Sequence, residues 1–458
     1  MPSKEMNLPN YFLADLPPEA TLSPAMLAEA CQTLKRNRER YLSGRSTEQL
    51  VKVLSGVADA WLKPDHPFRK LVLERGPVET GFSHKTLQRG LDDFFRQVTP
   101  ENLHALLVQE FGNARRLDAV TATEVEQKSS RAAMAVGPEF LVHVAAGNIP
   151  NPAWMSIILG LLARSAQFVK CASGSAFLPR LFAHSLYEAD PKLGACLEIA
   201  EWRGGNADLE NILFAEASCV TATGSDETLA AIRSRLPAHV RFLGYGQRVS
   251  FGFVAREVLS RLNAPRIAAR VADDVVAWNQ LGCLSPHVIY LQPGGEMSPE
   301  KFAGLLADEL ERREQTEPRG ELPAPHAAGI ASRRGIYKVR AAHSPETLMW
   351  HSQESTAWTV VFEADARFQI SCLNRFIYVK PVKDLVEMLQ HAEVVRGKVS
   401  TVGIAASEHQ IEELATQLAR WGVTRVCPLG RMQNPPLTWR HDGRPALGDL
   451  VTWADLEM

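Results

Sequence analysis

With 458 residues, 45% hydrophobic and 22% charged, and a formal charge of −2 at pH 7, the chain has the composition of a soluble globular protein of about two or three domains. So small a net charge excludes a broad electrostatic footprint for nucleic acid or an anionic membrane. Seven cysteines, with no CxxC pair and no metal-type spacing to histidine, point to a reducing, cytoplasmic compartment rather than to a disulfide framework or a metal site.

Residues 1 to about 40 hold a proline-containing start and a short helix, predicted to be a surface arm, and the N-terminus has no apolar segment of the signal-peptide kind. Thr47 to Phe111 is helical in pattern, with apolar repeats at Val51, Val53, Leu54, Val57, Ala58 and Trp61. Between 135 and 255 the texture alternates. Strands are predicted at Glu139 to Ala145, Gln167 to Cys171, Ala195 to Trp202, Ser218 to Thr223 and Val240 to Leu243. Helices are predicted between them at Trp154 to Arg164, Leu178 to Leu186, Asp208 to Ala215 and Asp226 to Leu236. This alternation predicts a parallel sheet with helices on both faces.

The most apolar run, Ala153 to Ala163, falls well short of the roughly 20 residues of a membrane span and reads as a core helix. A second strand–helix segment runs from Asp273 to about Val426, with strands at Val288 to Leu291, Ala357 to Glu363 and Arg375 to Pro381. Within it, the charged stretch Arg312 to Pro325 reads as a solvent loop and the basic run Arg333 to Arg340 as a solvated helix end. The tail, Arg431 to Met458, lacks helical periodicity and is predicted to wrap onto a neighbouring domain or subunit.

Chemistry centres on Cys283. Gly282 and Pro286 punctuate a helix-like stretch and a buried strand, so the sulfur sits in a tight loop, where a nucleophile is exposed and held still at once. A lone cysteine is more often a small buried hydrophobe, so its company decides. Asn148, in the loop Gly147-Asn148-Ile149-Pro150 after the first strand, is either an oxyanion donor at the ligand-binding edge of a sheet or a helix cap. Lys170 ends a strand, in a position to meet ribose hydroxyls or a phosphate. Gly224 and Ser225 open a helix, as an anion site or as a plain cap. Gly244 and Gly246 would let backbone approach a cofactor or the nucleophile, or form a hinge. No GxGxxG dinucleotide fingerprint follows any of these strands.

An Asn-Pro loop, a strand-end lysine, a Gly-Ser turn, a Leu-Gly segment and a loop cysteine follow one another in the order seen in aldehyde dehydrogenases. The runs Trp278-Asn279-Gln280, Cys283-Leu284-Ser285-Pro286, Gly147-Asn148-Ile149-Pro150 and His441-Asp442-Gly443-Arg444 narrow the likeness. Over roughly residues 135 to 455 the chain resembles the acyl-CoA reductase family typified by the fatty acid reductase subunit of bacterial bioluminescence, a branch of the aldehyde dehydrogenase superfamily.

The resemblance implies an α/β, aldehyde dehydrogenase-like fold of two Rossmann-like domains. Residues 1–245 would hold an N-terminal helical region and the dinucleotide-binding domain, 246–428 the catalytic domain, and 429–458 a tail for packing or assembly into a dimer or tetramer. Cys283 would be the acyl-accepting thiolate, and Asn148 with the backbone N–H of Cys283 the oxyanion hole. Lys170 would touch the adenosine ribose or its 2′-phosphate, Gly224 and Ser225 would lie beside the pyrophosphate, and Gly244 near the cofactor. By the same resemblance the cofactor would be NADPH, with NADH open, and no metal would be needed. The substrate would be an acyl-CoA or another acyl thioester, fatty acyl in kind, which an acyl-transferring or acyl-protein synthetase partner could deliver.

One departure sets the direction. Aldehyde-oxidising relatives carry a glutamate where this chain has Phe242, and that glutamate activates the deacylating water. General-base help is worth about 10² to 10⁴ in rate, so its absence favours reduction of an activated acyl group. Two rivals stay open: a cysteine acyltransferase or thioesterase without nicotinamide, and an aldehyde-oxidising dehydrogenase. A non-catalytic carrier-binding subunit is disfavoured by the joint presence of cysteine, asparagine and lysine. His287, four residues after Cys283, is as ready to point away from the sulfur as toward it, and His441 and Asp442 read as structural.

Overall fold

The structure, a computed structural model, describes residues 8–17 and 19–458. The chain forms two compact units: the N-terminal residues through Thr80 with Leu91–Gly246 and Pro436–Met458, and Gly81–Gly90 with Gln247–Pro435.

In the first unit, strands β1 (Arg131–Val136), β2 (Phe140–Val144), β3 (Ala166–Cys171), β4 (Leu197–Glu201), β5 (Cys219–Thr223) and β6 (Arg241–Tyr245) appear in sequence. Strands β2 to β6 form a wholly parallel sheet in the order β4-β3-β2-β5-β6. Every strand predicted between 135 and 245 is present, with small shifts at the ends. The run Ala153 to Ala163 lies mostly in the helix Asn151–Leu162, whose Trp154, Ile157, Ile158 and Leu161 are buried, as expected of a core helix.

The expected surface arm is not one. Pro24–Tyr41 is a full helix, started by the Ser23 hydroxyl accepting the Met26 N–H at 3.2 Å and by proline in its first turn. It buries Leu27, Cys31 and Leu34 in the same core as Phe140, Phe168, Leu213 and Phe214. Residues 1–7 of that expectation lie outside the described residues. Apolar residues at 27, 31 and 34 keep the spacing of one helix face, a signal that the surrounding charges obscure.

The second unit contains β7 (Val249–Val254), β8 (Pro286–Leu291), β9 (Thr347–His351), β10 (Thr359–Glu363), β11 (Phe376–Pro381), β12 (Val399–Ala405) and β13 (Arg425–Pro428). Their order is β13-β12-β7-β8-β11-β10-β9, parallel throughout except for β9. Alternate strand residues feed two cores, as period-two geometry requires. Ile289 and Leu291 pack with Val271, Phe302 and Leu306, whereas Val288 and Tyr290 pack with Ile330, Tyr337 and Leu418. The last strand, β14 (Thr452–Glu457), pairs antiparallel with β1 inside the first unit, which gives the tail its docking.

Two further expectations are corrected. Arg312 to Thr316 ends a helix, Pro299–Thr316, rather than opening a loop, and Arg319 beyond it is buried, donating to the Thr356 carbonyl. Arg334 is no solvated helix end; it is 7% exposed and donates to Thr359 Oγ1, Ser352 Oγ and the Ser355 and Trp358 carbonyls. Arginine's five N–H donors let it organise loop carbonyls from inside the protein, which a charge count cannot reveal. Among the described residues no helix is long and apolar enough to cross a membrane.

Because Leu27 is fully buried, Leu27→Ala should lower unfolding free energy by about 2–5 kcal/mol in urea titration. A value within ~0.5 kcal/mol, typical of surface sites, would restore the surface arm.

Candidate active site

Cys283 lies between a short turn, Ala277–Gln280, and β8. The turn is unusual. Trp278, Asn279 and Gln280 have φ of 48°, 51° and 65° in succession, a left-handed path that non-glycine residues enter at a cost of about 1–3 kcal/mol each. Each of the three side chains is fixed. The Trp278 ring packs edge-on to Phe82 at 5.2 Å and lies where a Cβ on Gly90 would stand 2.1 Å from it, so only glycine fits at 90. Asn279 donates to the Arg319 carbonyl at 2.8 Å and accepts from Arg375 Nε at 3.1 Å. Gln280, wholly buried, donates to the Pro286 and Phe376 carbonyls at 2.7 and 2.9 Å and accepts the Phe376 N–H at 2.8 Å.

A second left-handed run, Leu373, Asn374 and Arg375, faces the first through those Arg375 and Phe376 contacts. Arg375 is completely buried and ion-paired to Glu314 at 2.9 Å. Beyond the turn, the Ser250 hydroxyl donates to the Cys283 carbonyl at 2.8 Å and accepts the Thr401 N–H at 3.2 Å. Ser285 is bonded by Gln433, whose loop is clamped by the buried Asp274 carboxylate accepting the Gly430 and Met432 N–H groups at 2.6 and 2.9 Å. Burial raises Asp274 to about 7 even against those two bonds.

Cys283 is partly exposed, as is Cys372; the other five cysteines are buried. Burial pushes Cys31, Cys171 and Cys196 up to about 12 and Cys427 to about 11, and raises Cys219 and Cys372 as well. Burial thus favours the protonated, less nucleophilic form of those thiols. Arg425, at the start of β13, is fixed by its bonds to the Met432 and Arg431 carbonyls at 2.7 and 2.8 Å. Burial lowers its pKa, while Cys427, Asp274 and Cys283 all lie close enough to raise it. A cation within electrostatic reach of a thiol favours the thiolate.

His287 points into the protein: its Nδ1 accepts the Ser371 N–H at 3.1 Å, and burial drops the ring to about 4. It is a neutral anchor at pH 7, with no role as a proton donor.

The remaining candidates share one sheet edge of the first unit. Asn148, Gly224 and Ser225 follow the carboxyl ends of β2 and β5, and Lys170 and Gly244 sit near the ends of β3 and β6. Strand order reverses between β2 and β5, so the Asn148 loop and the Gly224-Ser225 turn flank the switch point, where open α/β sheets bind ligands. Asn148 is exposed; the helix that follows is capped at Pro150, with no side-chain bond. Lys170 is 4% exposed, its ammonium 5.7 Å from the Trp202 ring centre, and its pKa is lowered by burial despite Glu210 and Glu201 nearby. Ser225 spends its hydroxyl as the N-cap of Asp226–Arg233, accepting from Thr228 N.

The Gly244 carbonyl accepts from Arg444 at 3.0 Å, and His441 stacks on Tyr245 at 4.4 Å. The His441-Asp442-Gly443-Arg444 run thus clasps the end of β6, the structural role expected of it.

The acyl-CoA reductase (LuxC) family model matches residues 42–453. The chain belongs to that family. It is similar to the long-chain acyl-protein thioester reductase of Aliivibrio fischeri, with 25% identity over 328 residues covering 69% of this chain and 63% of that protein. Long-chain acyl-protein thioester reductase 2 of Photobacterium leiognathi gives 24% over 324 residues, with the same two coverages of 69% and 63%. The chain therefore spans about 63% of the length of these curated relatives. Among solved structures, an NAD-dependent benzaldehyde dehydrogenase from Corynebacterium glutamicum superposes with a TM-score of 0.70 at 12% identity, covering 96% of this chain and 91% of that one. At that identity the likeness concerns the fold, which is that of the aldehyde dehydrogenases.

Sequence reading of this LuxC-family chain missed Gln280, Asp274, Ser250 and Arg425. Trp278-Asn279-Gln280 was visible as a motif, but its left-handed backbone was not; Arg425 lies far along the chain and comes within electrostatic reach of the thiol only through strand order. Arg425→Met should raise the pH midpoint for iodoacetamide alkylation of Cys283, read by peptide mass spectrometry, by ~1 unit, and Arg425→Lys by less. An unchanged midpoint in both variants would remove Arg425 from the site.

Proposed function

We propose that this chain reduces a fatty acyl thioester, delivered as acyl-CoA or by an acyl-transferring partner, to the aldehyde with NADPH through an acyl-cysteine at Cys283. The observation that carries the reading is a partly exposed thiol on a rigid turn, in a chain of the acyl-CoA reductase family whose other cysteines, Cys372 apart, are buried.

In this reading the Cys283 thiolate attacks the acyl carbonyl carbon, the carbonyl π pair moves to oxygen, and the Asn148 amide donates to that oxyanion. Its collapse expels the carrier thiolate and leaves the acyl group on sulfur. The first unit suits a dinucleotide: its order β4-β3-β2-β5-β6 is the Rossmann one, Gly224 leaves room at the switch point, and the Lys170 ammonium makes no hydrogen bond to any described residue. Bound there, a nicotinamide cofactor supplies the hydride that turns the thioester into aldehyde and free thiol. The residues Arg241–Tyr245 of β6 include no carboxylate, and by the family resemblance Phe242 would stand where oxidising relatives keep their base. Water attack on the thioester is thereby left without help, which supports reduction over oxidation. The family membership and the Rossmann order favour this reading over a transferase without nicotinamide.

NADPH oxidation with a panel of saturated acyl-CoAs, with the aldehyde product identified, tests the proposal. Cys283→Ala should abolish aldehyde formation, and Asn148→Ala should lower kcat about 10² to 10³-fold with KM little changed. Aldehyde formation that survives Cys283→Ala would overturn it.

A further inference from the structure

The carboxyl edge of the second sheet holds a crevice that the proposed reaction does not use. The chain leaves β7 for β8 on one side, yet β12 returns to the other side of β7, so this sheet too reverses order, between β7 and β12. Helices Ala264–Val276 and Glu408–Trp421 follow β7 and β12 and pack on opposite faces, as their contacts with the two cores indicate. At the carboxyl ends of β12 and β13 they leave a cavity of about 490 Å³. That size lies within the roughly 300–1,000 Å³ range of small-molecule sites, and the position is where open α/β sheets bind ligands. Cys283 precedes the amino end of β8, so the crevice and the thiol lie at opposite edges, separated by roughly 15–20 Å of strand.

The lining divides by chemistry. Ile267, Ile404, Ile411 and Val426 give apolar walls, and Ile411 stands 42% exposed. Arg266 and Arg270, one helical turn apart, give two exposed guanidiniums. Neither makes a hydrogen bond or ion pair with a described residue, and no carboxylate lines the cavity. Cys427, in the wall, is held protonated by burial and so behaves as an apolar group. Several other arginines of this unit are ion-paired, among them Arg313 with Asp273, Arg340 with Glu363 and Arg375 with Glu314. Two unpaired cations over an apolar slot are complementary to one kind of small molecule.

We propose that this crevice binds a single-chain amphiphile with an anionic head, its carboxylate or phosphate held by Arg266 and Arg270 and its chain laid against Ile267, Ile404 and Ile411. Guanidinium pairs bind either head bidentately, and the apolar walls reward an alkyl chain by the area removed from water. The site is independent of Cys283 and requires no chemistry there.

Hydrogen–deuterium exchange of the full chain with dodecanoate, dodecyl phosphate and dodecanol, each below its aggregation threshold, tests the proposal. Dodecanoate or dodecyl phosphate should slow exchange in segments 263–270 and 404–415, and the tighter of the two names the head group. Dodecanol, without the charge, should bind about tenfold more weakly, as should the acid in an Arg266→Gln/Arg270→Gln variant. Ile411→Asp, which leaves both arginines in place, should abolish the protection, and Cys283→Ala should leave it intact. Absence of protection in those segments, or protection that dodecanol reproduces and the arginine variant retains, would overturn the proposal.

Discussion

The second unit depends on one buried amide. Gln280 joins the start of β8 to the start of β11, and by doing so holds three consecutive left-handed residues in place. Strain of this kind persists only where the surroundings over-determine it, and here they do. Trp278 is wedged against Phe82 and Gly90, Asn279 is gripped by Arg319 and Arg375, and the facing run at Leu373 to Arg375 is locked by the ion pair of the buried Arg375 with the partly exposed Glu314. Connecting loops are usually more mobile than the elements they join; this one is built with the rigidity of a core. The position of Cys283 is therefore a consequence of packing, set before any substrate arrives.

The same logic explains why much of the fold was legible and the site only partly so. Alternating strands and helices from Glu139 to Tyr245 are written in short apolar runs bounded by glycine and turn residues, and each strand formed close to its predicted place. The N-terminal helix was misread because Leu27, Cys31 and Leu34 are spaced among many charges. Arg319 and Arg334 were misread for a deeper reason: a charged residue looks solvated until loop carbonyls are brought around it. Residues 81–90 belong with the second unit, and nothing local announces it. Their purpose emerges only once Trp278 is seen resting on Phe82 and Gly90.

Of the candidate site residues, Cys283 and Asn148 could be proposed from the sequence because each stands in a loop bounded by glycine and proline. Arg425 could not be found that way. It reaches the thiol through the strand order β13-β12-β7-β8, in which Thr401 and Ser250 occupy the two intervening strands. That succession links a guanidinium, two hydroxyls and the Cys283 carbonyl across the amino edge of the sheet. At the opposite edge the same strands open the crevice with Arg266 and Arg270. One sheet thus offers two chemically distinct ends, a partly exposed sulfur within electrostatic reach of a fixed cation at one and an apolar slot with unpaired cations at the other.

The central claim is that Cys283 carries the acyl group. Intact-protein mass spectrometry tests it directly after brief mixing with a long-chain acyl-CoA in the absence of any nicotinamide. The account predicts one added acyl mass, mapped to the peptide containing Cys283, persisting because no carboxylate on β6 assists water, and discharged as aldehyde when NADPH is added. An adduct on another residue, or aldehyde formed at full rate with no acyl-enzyme ever detected on rapid quenching, would contradict it.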